Sequence, residues 1–166
     1  KETATCIGLS AIKLLKKDND AVMVVLPSDH HIDGQKDYLD ILSEAIEIAN
    51  RRRGIVTIGI NPTRPETGYG YIEMGERIAS SAQAYKIARF TEKPNVEVAK
   101  DFLLKGTYLW NSGMFVFRAD VILREIEKYL PKMYKSLMNI YQHLGEEDEE
   151  QVTREEYNLI DGISID

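Results

Sequence analysis

Two short apolar runs, AVMVVL (Ala21–Leu26) and IVTIGI (Ile55–Ile60), flank the segment KDYLDILSEAIEIANRRR (Lys36–Arg53), and this arrangement limits the fold more than any other feature. Each run has strand length and no polar alternation, the pattern of a strand covered on both faces. Between them, Leu39, Leu42, Ile46 and Ala49 fall on one helical stripe, and Gly54 follows as the expected stop. Strand, helix and strand within about 40 residues predict a βαβ unit with a right-handed crossover and a parallel strand pair.

The rest of the chain supports an α/β class. TATCIGLSAIKLLKK (Thr3–Lys17) has helical apolar spacing with lysines in its last turn, and places Cys6 as a buried structural thiol. AYKIARFTEKP (Ala84–Pro94) reads as a strand halted by Pro94. NVEVAKDFLLKG (Asn95–Gly106) reads as a helix capped by Asn95 and closed by Gly106. YLWNSGMFVFRA (Tyr108–Ala119) reads as a strand, and two helices follow, separated at Pro131. GEEDEEQV reads as an acidic surface segment, and TREE (Thr153–Glu156) matches a capping box. A length of 166 residues suits one domain. In such a sheet, ligands collect beyond the carboxyl ends of the strands.

Composition narrows the partners. The net charge of −6 supplies no basic field for nucleic acid or an acidic membrane, so an anionic ligand needs local cations or a bound metal. The single cysteine rules out an internal disulfide and fits a reducing, cytoplasmic setting. There is no apolar run of membrane-spanning length and no signal-peptide pattern.

Four stretches can carry chemistry. VLPSDHHI (Val25–Ile32) puts Asp29 just past a strand end, where a carboxylate either holds Mg²⁺ or caps a turn. The adjacent His30 and His31 point apart and lack nearby partners, which sets zinc aside. EKP (Glu92–Pro94) offers Lys93 to a phosphate and Glu92 to sugar hydroxyls, or is an exposed charged pair before a turn. In NSG (Asn111–Gly113), either Gly113 forms a bulge or Asn111 presents its amide to a ligand. The arginines Arg51–Arg53 compensate a helix dipole. The fourth stretch, GINPTRPETGYGYIE (Gly59–Glu73), spends more prolines and glycines than an ordinary connection needs.

In this order, VLPSDHHI, PTRPETGYGYIE, FTEKP and YLWNSGMFVF resemble the sugar-1-phosphate nucleotidyltransferases, nearest to the bacterial mannose-1-phosphate guanylyltransferases. The resemblance covers nearly the whole chain. It implies a Rossmann-like nucleotidyltransferase fold with a mainly parallel mixed sheet, here incomplete at both ends, and one catalytic domain of which residues 1–166 are a part. It implies an enzyme that makes GDP-mannose and pyrophosphate from GTP and mannose 1-phosphate, and that can be a homo-oligomer. By the same resemblance Asp29 holds Mg²⁺ between nucleotide phosphates, and the backbone at Gly70 approaches the sugar. Glu92 and Lys93 hold sugar hydroxyls and sugar phosphate, Asn111 contacts the sugar, and Thr3 faces the nucleotide.

Two departures qualify this. ETATC (Glu2–Cys6) stands where the family has a run such as N-T-A-P-A, and the family's glycine-rich loop and a second metal-binding aspartate are not in these residues. The chain by itself is therefore expected to be inactive. Another hexose 1-phosphate or nucleotide remains open within the class, and a non-catalytic sugar-nucleotide-binding relative remains open outside it.

Overall fold

Helix α1 (Thr3–Leu15) buries Ala4, Ile7, Ala11 and Ile12 along one stripe, as its apolar spacing requires. The computed structural model describes residues 2–79, 81 and 83–165. After α1 come β1 (Val22–Val25), α2 (Gln35–Arg52), β2 (Val56–Ile60), β3 (Tyr71–Arg77), β4 (Tyr85–Thr91), α3 (Val96–Lys105) and β5 (Tyr108–Arg118). Helices α4 (Ala119–Tyr129), α5 (Pro131–His143) and α6 (Glu149–Leu159) complete the order. The chain forms two compact units, residues 1–56 with 115–166, and residues 57–114.

In the first unit, β1 pairs antiparallel with the end of β5, Val22 opposite Arg118 and Val25 opposite Phe115. Successive residues of β5 face opposite sides. Val116 packs with Ala45 and Ala49 of α2, while Phe117 packs with Ile12, Ile122, Leu137 and Ile140. Val116, Phe117, Leu137 and Ile140 are fully buried, so this short ladder carries a core on each face. Helices α1 and α5 approach closely where Gly8 leaves room for Leu137, since a methyl there would come within 2.6 Å of Leu137 Cδ1. At the far end of β5 the side chain of Arg118, only 6% exposed, donates to Asp120 Oδ1 (2.9 Å) and Asp20 Oδ1 (2.7 Å). It also donates to Asn50 Oδ1 at 3.0 Å and to the carbonyl of Asn19 at 3.3 Å. These acceptors hold the guanidinium in its charged form, Asp20 most strongly, and the same contact keeps the Asp20 carboxyl below its usual range.

In the second unit β3 lies hydrogen-bonded to β4 and to β5, both antiparallel, and β2 also pairs with β5. Tyr71, Phe102, Tyr108 and Trp110 with Ala99 form its core, α3 laying Ala99 and Phe102 on the strands. The rings of Phe102 and Tyr108 are stacked with centroids 3.9 Å apart. Asn95 caps α3 by accepting from the Val98 N–H at 2.9 Å, and Gly106 closes it in the left-handed conformation, both as the sequence predicts.

Several expectations are corrected. Among the described residues β1 and β2 both pair with β5 and not with each other, and the β1–β5, β3–β4 and β3–β5 pairings are antiparallel. The sheet is thus not mainly parallel over these strands, because β5 takes up the hydrogen bonds that a direct β1–β2 pair would use. The two apolar runs are not covered on both faces throughout, since Val24, Leu26, Ile55 and Ile60 are exposed. Helix α2 turns out of its helix at Arg53 rather than at Gly54, with φ at 51°, a conformation that costs a side chain energy, and the Arg53 guanidinium pairs with Asp120. Cys6 is exposed on α1 rather than buried. TREE lies inside α6, which starts earlier because Glu149 and Glu150 suit its first turn and Glu149 accepts from the Gly145 N–H at 2.9 Å.

Candidate functional site

Strand β4 delivers Glu92 and Lys93 at its end, and β5 delivers Asn111 near its middle. The segment between β2 and β3 delivers Gly70 just before β3 begins. All four belong to the second unit. The Asn111 N–H donates to the carbonyl of Gly70 at 2.8 Å, which ties the loop end to β5. A methyl group on Gly70 would lie 2.9 Å from Glu92 Oε2 and 2.8 Å from Phe90 Cζ, so only glycine lets the backbone come this close to the carboxylate. Lys93 Nζ lies 3.1 Å from Glu92 Oε1, with both side chains largely in solvent. The structure therefore brings the backbone of Gly70 and Asn111 beside Glu92 and Lys93, with Asn111 inside β5 and the others at strand ends.

Backbone and side chains around Asn111 are tightly specified. Its Oδ1 accepts from the hydroxyl of Thr57 (3.0 Å) and from the Gly113 N–H (3.3 Å). Gly113 takes a left-handed φ of 71°, and the Ser112 hydroxyl donates to the carbonyl of Ile58 at 2.6 Å. The glycine thus supplies an unusual backbone, and the Asn111 amide oxygen is held within the sheet by Thr57 and Gly113. Lys93 is one of two non-glycine residues with positive φ among those described, at 39°, directly before Pro94. Strain of this kind concentrates at ligand clamps, and here it lies beside the Glu92–Lys93 pair.

Upstream, the loop holds a turn that sequence reasoning missed. Glu66 Oε1 accepts from the N–H groups of Thr67 (3.0 Å) and Gly68 (3.1 Å), and its Oε2 accepts from Arg64 Nε at 3.1 Å. The Gly68 N–H and then Arg64 hold this carboxyl below its ordinary range. Arg64 in turn lies over the Trp110 ring at 5.6 Å, and Tyr69 meets the same ring edge-on at 5.4 Å. The signal for this was the P-E-T-G string, whose proline and glycine mark a turn around Glu66.

The remaining assigned residues belong to the first unit. Asp29 is exposed in the connection between β1 and α2, with His30 and His31 exposed beside it. No group of three or more His, Cys, Asp and Glu among the described residues is arranged to hold a metal ion. Asp29 therefore offers a single carboxylate, which suits Mg²⁺ riding mainly on phosphates and water. Thr3 is exposed at the start of α1, where its hydroxyl accepts from the Ile165 N–H at 2.9 Å.

This α/β architecture with its polar cluster is that of a known class. Residues 1–157 match the family model described as nucleotidyl transferase, and the chain belongs to that family. Among curated relatives, the mannose-1-phosphate guanylyltransferase of Salmonella montevideo is 42% identical over 140 residues, covering 82% of this chain and 29% of the relative. The mannose-1-phosphate guanylyltransferase RfbM of Salmonella typhimurium is 38% identical over 169 residues, covering all of this chain and 35% of the relative. The chain thus spans about a third of the length of these relatives. A crystal structure described as a mannose-1-phosphate geranyltransferase from Thermus thermophilus superposes with a TM-score of 0.83 at 32% identity, covering 99% of this chain and 45% of that one. One described as a mannose-6-phosphate isomerase from Helicobacter pylori gives 0.70 at 36% identity, covering 86% of this chain and 51% of that one. The nucleotidyltransferase fold expected from the motifs is the fold found.

A direct check on the cluster is Gly70→Ala. Gly70 lacks a left-handed backbone, and the atoms a methyl would meet are side-chain ends, so the fold is expected to persist while the Glu92 carboxylate is pushed aside. The expected result is an unchanged melting temperature with weaker binding of a hexose phosphate, read by calorimetry. Unchanged binding would remove Gly70 from the site.

Proposed function

We propose that the protein carrying this chain transfers a guanylyl group from GTP to mannose 1-phosphate, giving GDP-mannose and pyrophosphate. The observation that carries this reading is the grouping of Gly70, Glu92, Lys93 and Asn111, supported by the names of the curated relatives. In the reaction a phosphate oxygen of mannose 1-phosphate attacks the α-phosphorus of GTP. The bond from that phosphorus to the bridging oxygen breaks, and pyrophosphate leaves with its electron pair.

No covalent enzyme intermediate is required, so the protein's work is positioning and charge neutralisation. Glu92 accepts hydrogen bonds from sugar hydroxyls, and its carboxylate is available because its present partner, Lys93, is a solvent-exposed neighbour. Lys93 exchanges this exposed contact for the sugar phosphate, where a compact ammonium neutralises the nucleophile's charge as it meets the triphosphate. Asn111 and the Gly70 backbone shape the wall against which the hexose lies. Asp29 would hold Mg²⁺, a hard cation that would supply charge neutralisation at the nucleotide phosphates. Thr3 lines the nucleotide side. A cytoplasmic location accompanies this reading as part of the proposal.

The test is pyrophosphate release from GTP, Mg²⁺ and mannose 1-phosphate, with Lys93→Gln beside the wild type. Glutamine keeps most of the stem and removes the charge of an exposed residue, so folding should hold. The KM for mannose 1-phosphate is expected to rise by about tenfold or more, and that for GTP much less, as for a lost charge-assisted hydrogen bond. A larger effect on GTP would displace Lys93 from this role, and a wild type without pyrophosphate release would overturn the function itself.

A further inference from the structure

From residue 61 to residue 70 the chain forms no strand or helix, so side chains have to give this segment its shape. Glu66 does most of this. Its carboxylate closes on the N–H groups of Thr67 and Gly68 and on Arg64, and its carbonyl accepts from the hydroxyl of Tyr71 at 2.9 Å. Tyr71 is fully buried and stands opposite Trp110 in the β3–β5 register, and Trp110 carries Arg64 on its face. Glu66 is thus fastened to the second unit's core by both its side chain and its backbone. Gly70 follows shortly after, with its carbonyl held by Asn111. The Glu66 side chain is 27% exposed, against 50% for Glu92, which marks the first as an inward tie and the second as a group open to solvent.

We propose that Glu66 is a positioning residue for the sugar phosphate: by closing the turn at 64–68 it sets the Gly70 backbone against Glu92, without itself touching substrate. This rests on the guanylyltransferase reading above. The closed turn removes the freedom of a glycine-containing loop before the sugar arrives, so that binding does not have to order it.

Glu66→Ala and Glu66→Gln, made in the whole protein that carries this chain, separate the possibilities. Alanine removes both acceptors, whereas glutamine keeps an oxygen for the Thr67 and Gly68 amides and loses the ion pair with Arg64. Loss of the tie is expected to raise the KM for mannose 1-phosphate by about tenfold, the scale of a modest misplacement of binding groups. The KM for GTP and kcat should stay near wild type, and glutamine should restore most of the loss. An unchanged KM in Glu66→Ala overturns the proposal. So does a parallel rise in both KM values with a lower melting temperature, or a glutamine variant as impaired as alanine. An inactive wild type would instead defeat the guanylyltransferase reading, and this inference with it.

Discussion

On the guanylyltransferase proposal, Asp29→Asn in the protein that carries this chain is expected to lower turnover by ~10²–10³-fold, the usual loss when one preorganised electrostatic group is removed. The fold should not suffer. Asp29 is exposed in a connecting segment, outside the packed clusters of the first unit. Asparagine preserves its size and one acceptor oxygen but not the negative charge that draws a hard cation. The KM for Mg²⁺ should rise along with the fall in kcat. Turnover within a few-fold of wild type at saturating Mg²⁺ would place the metal elsewhere.

Asp120→Ala is expected to do the opposite, damaging stability with no direct role in chemistry. Asp120 helps neutralise a guanidinium that is only 6% exposed, and removing one partner of a buried pair leaves its charge less well compensated. Arg118 keeps its contact with Asp20, which argues for the lower end of the known range, about 3 kcal/mol. Arg53 loses its partner as well, and the first turn of α4 loses its acidic residue. For a chain of this size the loss corresponds to a melting temperature roughly 6–12 °C lower. Asp20→Ala is the control. That carboxylate makes a short contact to the same arginine but is 83% exposed, so its removal should cost far less. Equal losses from the two would show that proximity, and not burial, sets the value of these pairs.

The sequence made the elements legible and left their pairing obscure. Apolar spacing located α1, α2 and β1, and the capping asparagine and closing glycine of α3 were visible as residue types. Strand partners were not visible, because a continuous apolar run reports burial and says nothing of which neighbour takes its hydrogen bonds. The connection between β1 and β2 is long enough for a parallel crossover, yet β5 is the partner of both. Helix ends misled where a side chain overrode the usual signal, as Arg53 does through Asp120 and Glu149 does through Gly145. At the site, the motif order pointed to Gly70, Glu92, Lys93 and Asn111, which the fold brings together. The groups that hold them in place, Glu66, Arg64 and Thr57, act through the backbone or through one another. Such second-order contacts leave little trace in residue types.

The chain's only tryptophan has an optical consequence. Trp110 is nearly buried among aromatic rings, and its indole N–H has no hydrogen-bond partner among the described residues. Emission from such an indole is expected at short wavelength, because little water relaxes around its excited state. Arg64 on one side and Tyr69 at the edge belong to the loop that leads to Gly70, so ordering or loosening of that loop alters the dipoles next to the fluorophore. These 166 residues thus contain an intrinsic lamp next to the 64–70 loop, and its emission during a titration with hexose phosphate is a label-free test of the proposed site.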